Sequence, residues 1–491
     1  MTLTMRHPGL RASALLVLCL MVAAVLGIQV EAAGAQGKKA EAKNLKLVGK
    51  HALQARSAYQ PLIKFNPQRG RWIAYIGHHA GISRNNLTGE MENNGTSILD
   101  VTRPRRPRLL AHIPGKPGDP DEGGAQMAQV CNGSDLPSGD PDKVYLLRAY
   151  NGETPELTGH EIWDVTRPRR PELVTTVVSG LADTHKNWWE CETGIAYLVS
   201  GVLEPRWRAE RMTQVFDLSD PANPVHIRDY GLVGQEPGST GPIPTGLHGP
   251  ISLGNRVYFG HGTSEDGIMQ IVDREKLLSG DPAPTPENLL FPQISRLDLC
   301  AFCAGAHTTF PVLGIPIDEF ESYNLGATRD MVVIVNESTS DECIDEVPQM
   351  VYFADITDAA RPGIVSNYNV DERKGDFCSR GGRFGAHASN ENMTPIWYRK
   401  VVFVSWFNAG VRAVDMRNPF RPKEAGYYIP KVTRNTAESC IEVEGEERCK
   451  TAIQTNNVEV DDRGLVYIVD RADTGLHILK AKGKLARIAR R

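Results

Sequence analysis

Three features of the sequence predict an all-β fold, a ring of seven four-stranded blades. A unit made of an apolar strand ending in aspartate, a turn with paired prolines and another short strand recurs along the chain. The last copy lacks its outer strand, and a strand-like segment near the N-terminus is left over. The copies read SILDVTRPRRPRLL, EIWDVTRPRRPELV, QVFDLSDPANPVHI, QIVDREKLLSGDPA, YFADITDAARPGIV and VRAVDMRNPFRPKE, with GLVYIVDRADTGLHILK as the incomplete seventh. Self-similarity of this kind is the signature of repeat architectures. The fourth copy keeps its aspartate, Asp273, and loses the paired-proline spacing. NLKLVGKHAL, residues 44–53, fits the outer strand missing from the seventh copy. Closing the ring with it removes the free sheet edges that invite aggregation. The prediction is a seven-bladed β-propeller over residues 36–491, with blades near 58–115, 123–180, 183–234, 245–295, 305–370, 385–430 and 453–480 plus 44–53. The 456 residues after Ala35 give about 65 per blade, more than the roughly 40–45 of a compact propeller repeat. The excess belongs in loops.

Residues 1–35 read as a signal peptide. Arg6 and Arg11 precede an apolar run from Ala12 to about Val30, and Ala33-Gly34-Ala35 has A-x-A spacing, so cleavage is expected after Ala35 with no membrane span beyond it. A retained anchor is the alternative, because the run approaches the roughly 17 residues that cross a bilayer. Eight cysteines remain after the leader, an even number suited to the periplasm or the outside of the cell. Cys440 and Cys449 flank IEVEGEER, a segment able to fold back as a hairpin and join them. Cys131 and Cys191 occupy similar places in successive repeats and are placed to link neighbours. Cys300 and Cys303 form a C-x-x-C with His307 four residues on, and a local disulfide suits an exported chain better than a metal or redox motif.

The aspartate-proline units resemble those of the LVIVD-type repeat propellers, a group of exported bacterial proteins, over nearly the whole chain after the leader. The resemblance implies a propeller fold and export. It is almost silent on activity, since propellers host many chemistries. With 55 basic and 59 acidic residues and no long run of either sign, no nucleic-acid partner is expected. A monomer is expected. No G-x-S-x-G, P-loop or convincing G-x-G-x-x-G motif is present.

Chemistry is concentrated at the entries to successive inner strands. DTHKNWWECETG, TGLHGPISLGNRVYFG, AGAHTTFPVLG and FGAHASNENM place His185, His248, His307 and His387 at one position of blades three to six. Gln126 holds that position in blade two, and Asn456 with Asn457 in blade seven. The inner strand of a propeller blade lines the channel, so these imidazoles converge on the axis, where they can surround one metal ion. Histidines copied by duplication for a structural hydrogen bond are the alternative. Imidazole suits zinc, copper, iron or nickel better than magnesium or calcium. Iron or copper is placed ahead of zinc, because four protein ligands on zinc make a closed structural site that an already closed ring does not need. Glu190, Glu337, Glu391 and Glu459 lie in or near blade strands and are the carboxylates expected to orient the rings and offset the metal's charge. His78, His79 and His261, in YIGHHAG and YFGHGTS, fall in turns at the same end of the blades. The long connections before His248, His307 and His387 gather there too, as functional loops on a rigid scaffold do.

Four-histidine iron sites on seven-bladed propellers characterise carotenoid-cleaving oxygenases, and histidine-bound copper the methanethiol-oxidising selenium-binding propellers. The chain carries the sequence motif of neither, so the parallel is architectural. These residues lead to a metal-dependent oxidoreductase or oxygenase acting on a small molecule. The alternative is a non-catalytic propeller that binds a protein or glycan through its loop-rich face.

Overall fold

The blade strands read as nearly unbroken apolar runs because each blade is covered on both faces. In Arg71–His79 of blade one, Ile73 and Tyr75 pack toward blade two while Ala74 and Ile76 pack toward blade seven. In Leu465–Asp470 of blade seven, Val466 and Ile468 face blade six while Tyr467 and Val469 face blade one. The computed structural model describes residues 39–299, 304–317, 326–341, 343, 346–443 and 446–490. Among these, seven apolar clusters fill the seven interfaces between neighbouring blades. Residues 1–35, read above as a signal peptide, and Cys300 and Cys303 lie outside the described residues.

The chain is a seven-bladed β-propeller of antiparallel sheets. The inner strands are Ala58–Asn66, Ala128–Asn132, Thr184–Trp189, Leu247–Leu253, Thr308–Pro316 and Thr455–Val460. In blade six the inner position is taken by an irregular stretch that pairs with Val401–Ser405, the His387 N–H donating to Ser405 O at 3.1 Å and the Ser405 N–H to Ala388 O at 2.9 Å.

The repeated motif has a mechanical basis. Asp100, Asp164, Asp217 and Asp355 each accept the backbone N–H two residues on, which ends the third strand. The hydroxyls of Thr102, Thr166 and Thr357 then accept N–H groups at or near the start of the second strand, from Trp72, Val144 and Asp330. Such side-chain turns are what Asp and Thr do well. In the fourth unit Asp273 instead caps the helix Arg274–Ser279, accepting the Lys276 N–H at 3.0 Å. A second helix, Pro286–Leu290, precedes the outer strand Gln293–Asp298. The inserted helices replace the proline turn, which explains the lost spacing.

Ring closure follows the reading of the seventh unit. Leu45–His51 pairs antiparallel with Leu476–Ala481 as the outer strand of blade seven. One element was not anticipated: Glu41–Lys43 adds a further strand outside Lys423–Ile429 of blade six. Asn44 makes the step between blades with φ 56°, a left-handed conformation that Asn tolerates. Its side-chain amide donates to Ala425 O at 2.7 Å, and its carbonyl accepts the Lys482 N–H at 2.9 Å.

Three disulfides are described. Cys131–Cys191 joins blades two and three, and Cys440–Cys449 closes the hairpin of Glu438–Val443 with Glu446–Thr451, the two cysteines directly opposed. Cys343–Cys378 ties a loop of blade five to the segment entering blade six. No described helix is long and apolar enough to cross a membrane.

Candidate metal centre

The inner strands lose their regular register near the channel mouth. Shifts fall between Ala58 and Pro61, Thr184 and Asn187, Leu247 and Gly249, and Thr455 and Val458. A bulge breaks the two-residue alternation and re-aims side chains. The residues inside these four shifts are Tyr59 and Gln60, His185 and Lys186, His248, and Asn456 and Asn457.

His185, His248, His307 and His387 are all buried and form an arc in blade order. Successive ring centroids stand 4.4, 3.5 and 4.4 Å apart. His185 Nε2 lies 2.7 Å from His248 Nε2. Glu337, just beyond Thr328–Val335 of blade five, brings Oε2 to 3.7 Å from His307 Nε2 and Oε1 to 3.5 Å from His387 Nε2. His248, His307 and Glu337 each present one ligand atom within 4.8 Å of the others. Glu337 therefore stands against the rings themselves, not behind them.

Burial pushes all four imidazoles down, His387 to about 3, with neighbouring cationic side chains adding to the effect. The rings are neutral, each with one N–H and one lone pair. His387 Nδ1 is 2.6 Å from Asn456 O, which can only accept. Its proton is thus on Nδ1, and the Nε2 lone pair is directed toward Glu337. His307 Nδ1 contacts Thr308 Oγ1 at 2.9 Å. Nδ1 of His185 and His248 and Nε2 of His307 have no hydrogen-bond partner. Buried polar atoms are seldom left so, and in the tautomer whose Nδ1–H donates to Thr308 Oγ1, His307 Nε2 would offer its lone pair to a cation. Burial raises the pKa of Glu337, opposed by Arg383, Arg471 and Arg211. The neutral rings of His248 and His307 with the Glu337 carboxylate form a group that could hold a divalent ion.

Blade one supplies a residue that the sequence reading passed over. The Tyr59 hydroxyl is 2.9 Å from His185 Nε2, and its ring is edge-on to His79, His185 and His387 at 5.1, 5.3 and 5.7 Å. Its only sequence signal is its place at the strand entry, in SAYQPL. His79 joins this side of the cluster, with Nδ1 donating to Asp121 O at 3.0 Å and Nε2 without a partner. Gln126 donates to the same carbonyl at 2.9 Å, so it braces the loop beside His79. Asn457 donates to Gln60 Oε1 at 3.0 Å, and Asn456 to Tyr59 O at 3.0 Å. Both tie blade seven to blade one.

The remaining residues stand apart from the rings. His78 uses both nitrogens inside blade one, on Ser57 O at 3.1 Å and Ser97 Oγ at 2.8 Å. His261 is buried within blade four, next to Gln270 and Phe259. Glu190 lies beyond the far end of Thr184–Trp189 and grips Arg274 at 2.6 and 2.9 Å. It cannot orient the imidazoles from there. Glu391 pairs with Lys186, which reaches it across the ring from blade three, and both are buried. Gly249 leaves room for this crossing, since a side chain there would collide with the lysine stem. Glu459 accepts backbone N–H groups of Glu391, Asn392 and Val460 at 3.1, 3.1 and 2.8 Å, while burial pushes it up to about 8. These three side chains form a layer beneath the histidines.

Fold and site together define a β-propeller with disulfides and a histidine–glutamate group able to hold a metal ion. No family model matches the chain and no curated protein matches it, so the likeness to LVIVD-type propellers rests on the repeats alone.

Proposed function

We propose that His185, His248, His307 and His387, together with Glu337, hold one divalent transition metal, and that the protein is an exported metal-dependent oxidoreductase. The observation that carries this reading is the arc of four buried neutral imidazoles against one carboxylate, with Nδ1 of His185 and His248 and Nε2 of His307 lacking a hydrogen-bond partner. A donor set of nitrogen with one oxygen, larger than a closed tetrahedral zinc site needs, favours iron or copper over zinc. Such a metal supplies Lewis acidity and one-electron chemistry when bound.

The chain's own residues have separate tasks. Asn456 fixes the orientation of the His387 ring through its carbonyl. Glu337 offsets the metal's charge. Burial, with Glu337 next in effect, holds the Tyr59 phenol well above its ordinary pKa, so it stays protonated and can donate to a substrate oxygen. The Lys186–Glu391 crossing obstructs the channel beneath the rings, which directs a small-molecule substrate to the loop-lined mouth. The leader sequence and three disulfides support a periplasmic or secreted location. The test is elemental analysis of protein purified without a histidine tag. Stoichiometric iron or copper, lost in His248→Ala and His307→Ala proteins that still melt cooperatively, is the expected result. A parent that is metal-free and takes up no iron, copper or zinc would overturn the proposal and leave a non-catalytic binding propeller.

A further inference from the structure

The turns of blades one and two are copies of each other, VTRPRRP at residues 101–107 and 165–171. Each is closed by the same hydrogen bond, Arg106 N–H to Arg103 O at 2.8 Å and Arg170 N–H to Arg167 O at 2.7 Å. The shared geometry exposes Arg103, Arg105 and Arg106 in one turn and Arg167, Arg169 and Arg170 in the next. These turns join third to fourth strands, at the end of the blades opposite the histidines.

Three depressions run along this end. One of about 400 Å³ lies between Arg167, Arg169 and Arg170 of blade two and Arg69, Arg71 and Arg108 of blade one. A second, of about 390 Å³, shares the blade-one arginines and adds Arg103 and Arg106. The third, about 810 Å³, shares those two and continues past Arg105 to Lys46, Lys480 and Lys482 of blade seven. Shared walls make them one groove across blades two, one and seven. Asp100 is the only carboxylate lining it, and Arg71 already holds that group. Among the described residues, no carboxylate forms an ion pair with any arginine of the two turns. This concentration of positive charge occurs on a chain whose formal net charge is −4, and crowding of like charge works against the fold until an anion relieves it.

We propose that the groove binds a linear polysaccharide bearing sulfate or phosphate groups. Guanidinium forks match the paired oxygens of such groups, and arginine outnumbers lysine along the groove. Depressions that share walls over three blades offer a chain-like polyanion successive guanidinium sites. No aromatic side chain lines it, whereas single-stranded nucleic acids are held largely by stacking on aromatics. The sequence hid the feature because its charge is divided between short turns of separate repeats.

The experiment measures binding of intact protein to dextran sulfate and to uncharged dextran over a range of salt concentrations. The parent should bind dextran sulfate alone, and more weakly as salt rises. A variant carrying Arg105→Glu, Arg106→Glu, Arg169→Glu and Arg170→Glu should bind at least about tenfold more weakly. A control with Arg361→Glu, Arg373→Glu, Lys374→Glu and Lys423→Glu, equal in charge but elsewhere on the surface, should stay within about twofold of the parent. The corresponding four-glutamine variant of the groove repeats the test if the reversal variant misfolds. Absence of binding by the parent at low salt, or equal losses in groove and control variants, would overturn the proposal. So would tighter binding of duplex DNA or of phosphatidylglycerol vesicles than of dextran sulfate at the same salt. Metal content plays no part in the readout, so this result and that of the metal assay stand independently.

Discussion

Replacing Leu45 by alanine tests whether the N-terminal strand is structural mortar or an appendage. Leu45 is fully buried and packs between blades six and seven with Trp397, Val460, Leu479 and Leu485. Truncating a buried leucine costs about 2–5 kcal/mol, more where the surroundings cannot collapse into the cavity. Here Asn44 pins the preceding backbone to Ala425 and Lys482, so a cost of about 4 kcal/mol is expected. Unfolding entropy near 2.1 cal/mol/K per residue, over roughly 450 residues, converts that cost into a fall in Tm of roughly 4 °C. Leu47, only half-buried, should lose about a third as much when truncated. Deleting residues 39–51 should do more than either substitution, because it bares the Leu476–Ala481 edge to other chains. Differential scanning calorimetry gives the shifts, and size-exclusion chromatography reports aggregation of the deletion. A Leu45→Ala protein melting within a degree of the parent, or a deletion melting like the intact chain, would refute the closure argument.

Further outcomes are expected. Non-reducing peptide maps should recover Cys131 with Cys191, Cys343 with Cys378 and Cys440 with Cys449; free thiols at these positions would contradict the fold. Folded Glu459 keeps its proton up to about pH 8, whereas the unfolded chain loses it near 4.5. The folded state thus binds the extra proton between those values, and stability should decline as pH rises through that window. Glu459→Gln should flatten part of the decline in Tm measured from pH 5 to 9, and an unchanged slope would show that the group does not titrate this way. His78→Asn and His261→Asn should leave metal content unchanged while Glu337→Gln lowers it, as measured by elemental analysis; the reverse order would move the site. Tyr59→Phe should retain the metal but alter the electron paramagnetic resonance spectrum of its oxidised form, and an identical spectrum would place the phenol outside the metal's surroundings.

Repetition explains what was legible. An apolar strand ending in aspartate recurs seven times, in most copies followed by paired prolines, so its copies mark and number the blades. Residues at the entry to each blade's first strand then share a height in the ring, which is why His185, His248, His307 and His387 could be brought together by lining up those entries. Contacts between unlike positions carry no such mark. Glu337 reaches the rings from a loop, Lys186 meets Glu391 only because blades three and six face each other, and Tyr59 needs a bulge to turn inward. Cys343 and Cys378 are 35 residues apart, on either side of the paired third and fourth strands of blade five, and nothing in their spacing suggests their pairing. Glu190 was misjudged for the opposite reason: closeness to His185 in sequence becomes the length of a strand once the segment is extended.

The two N-terminal strands also impose an order in time. A ribosome releases Glu41–Lys43 and Leu45–His51 long before their partners Lys423–Ile429 and Leu476–Ala481. Asn44 and Ala425, hydrogen-bonded in the finished ring, are 381 residues apart. At synthesis rates of roughly 5–20 residues per second, that separation lasts roughly 20–80 seconds. During that interval the nascent chain can stack blades outward from the first, as repeat proteins do, yet its opening strands have nothing to pair with. A product whose synthesis stops before Leu476 never acquires the partner of Leu45–His51 and keeps raw edges at both ends. The ring thereby distinguishes finished chains from unfinished ones, leaving the latter open to proteases.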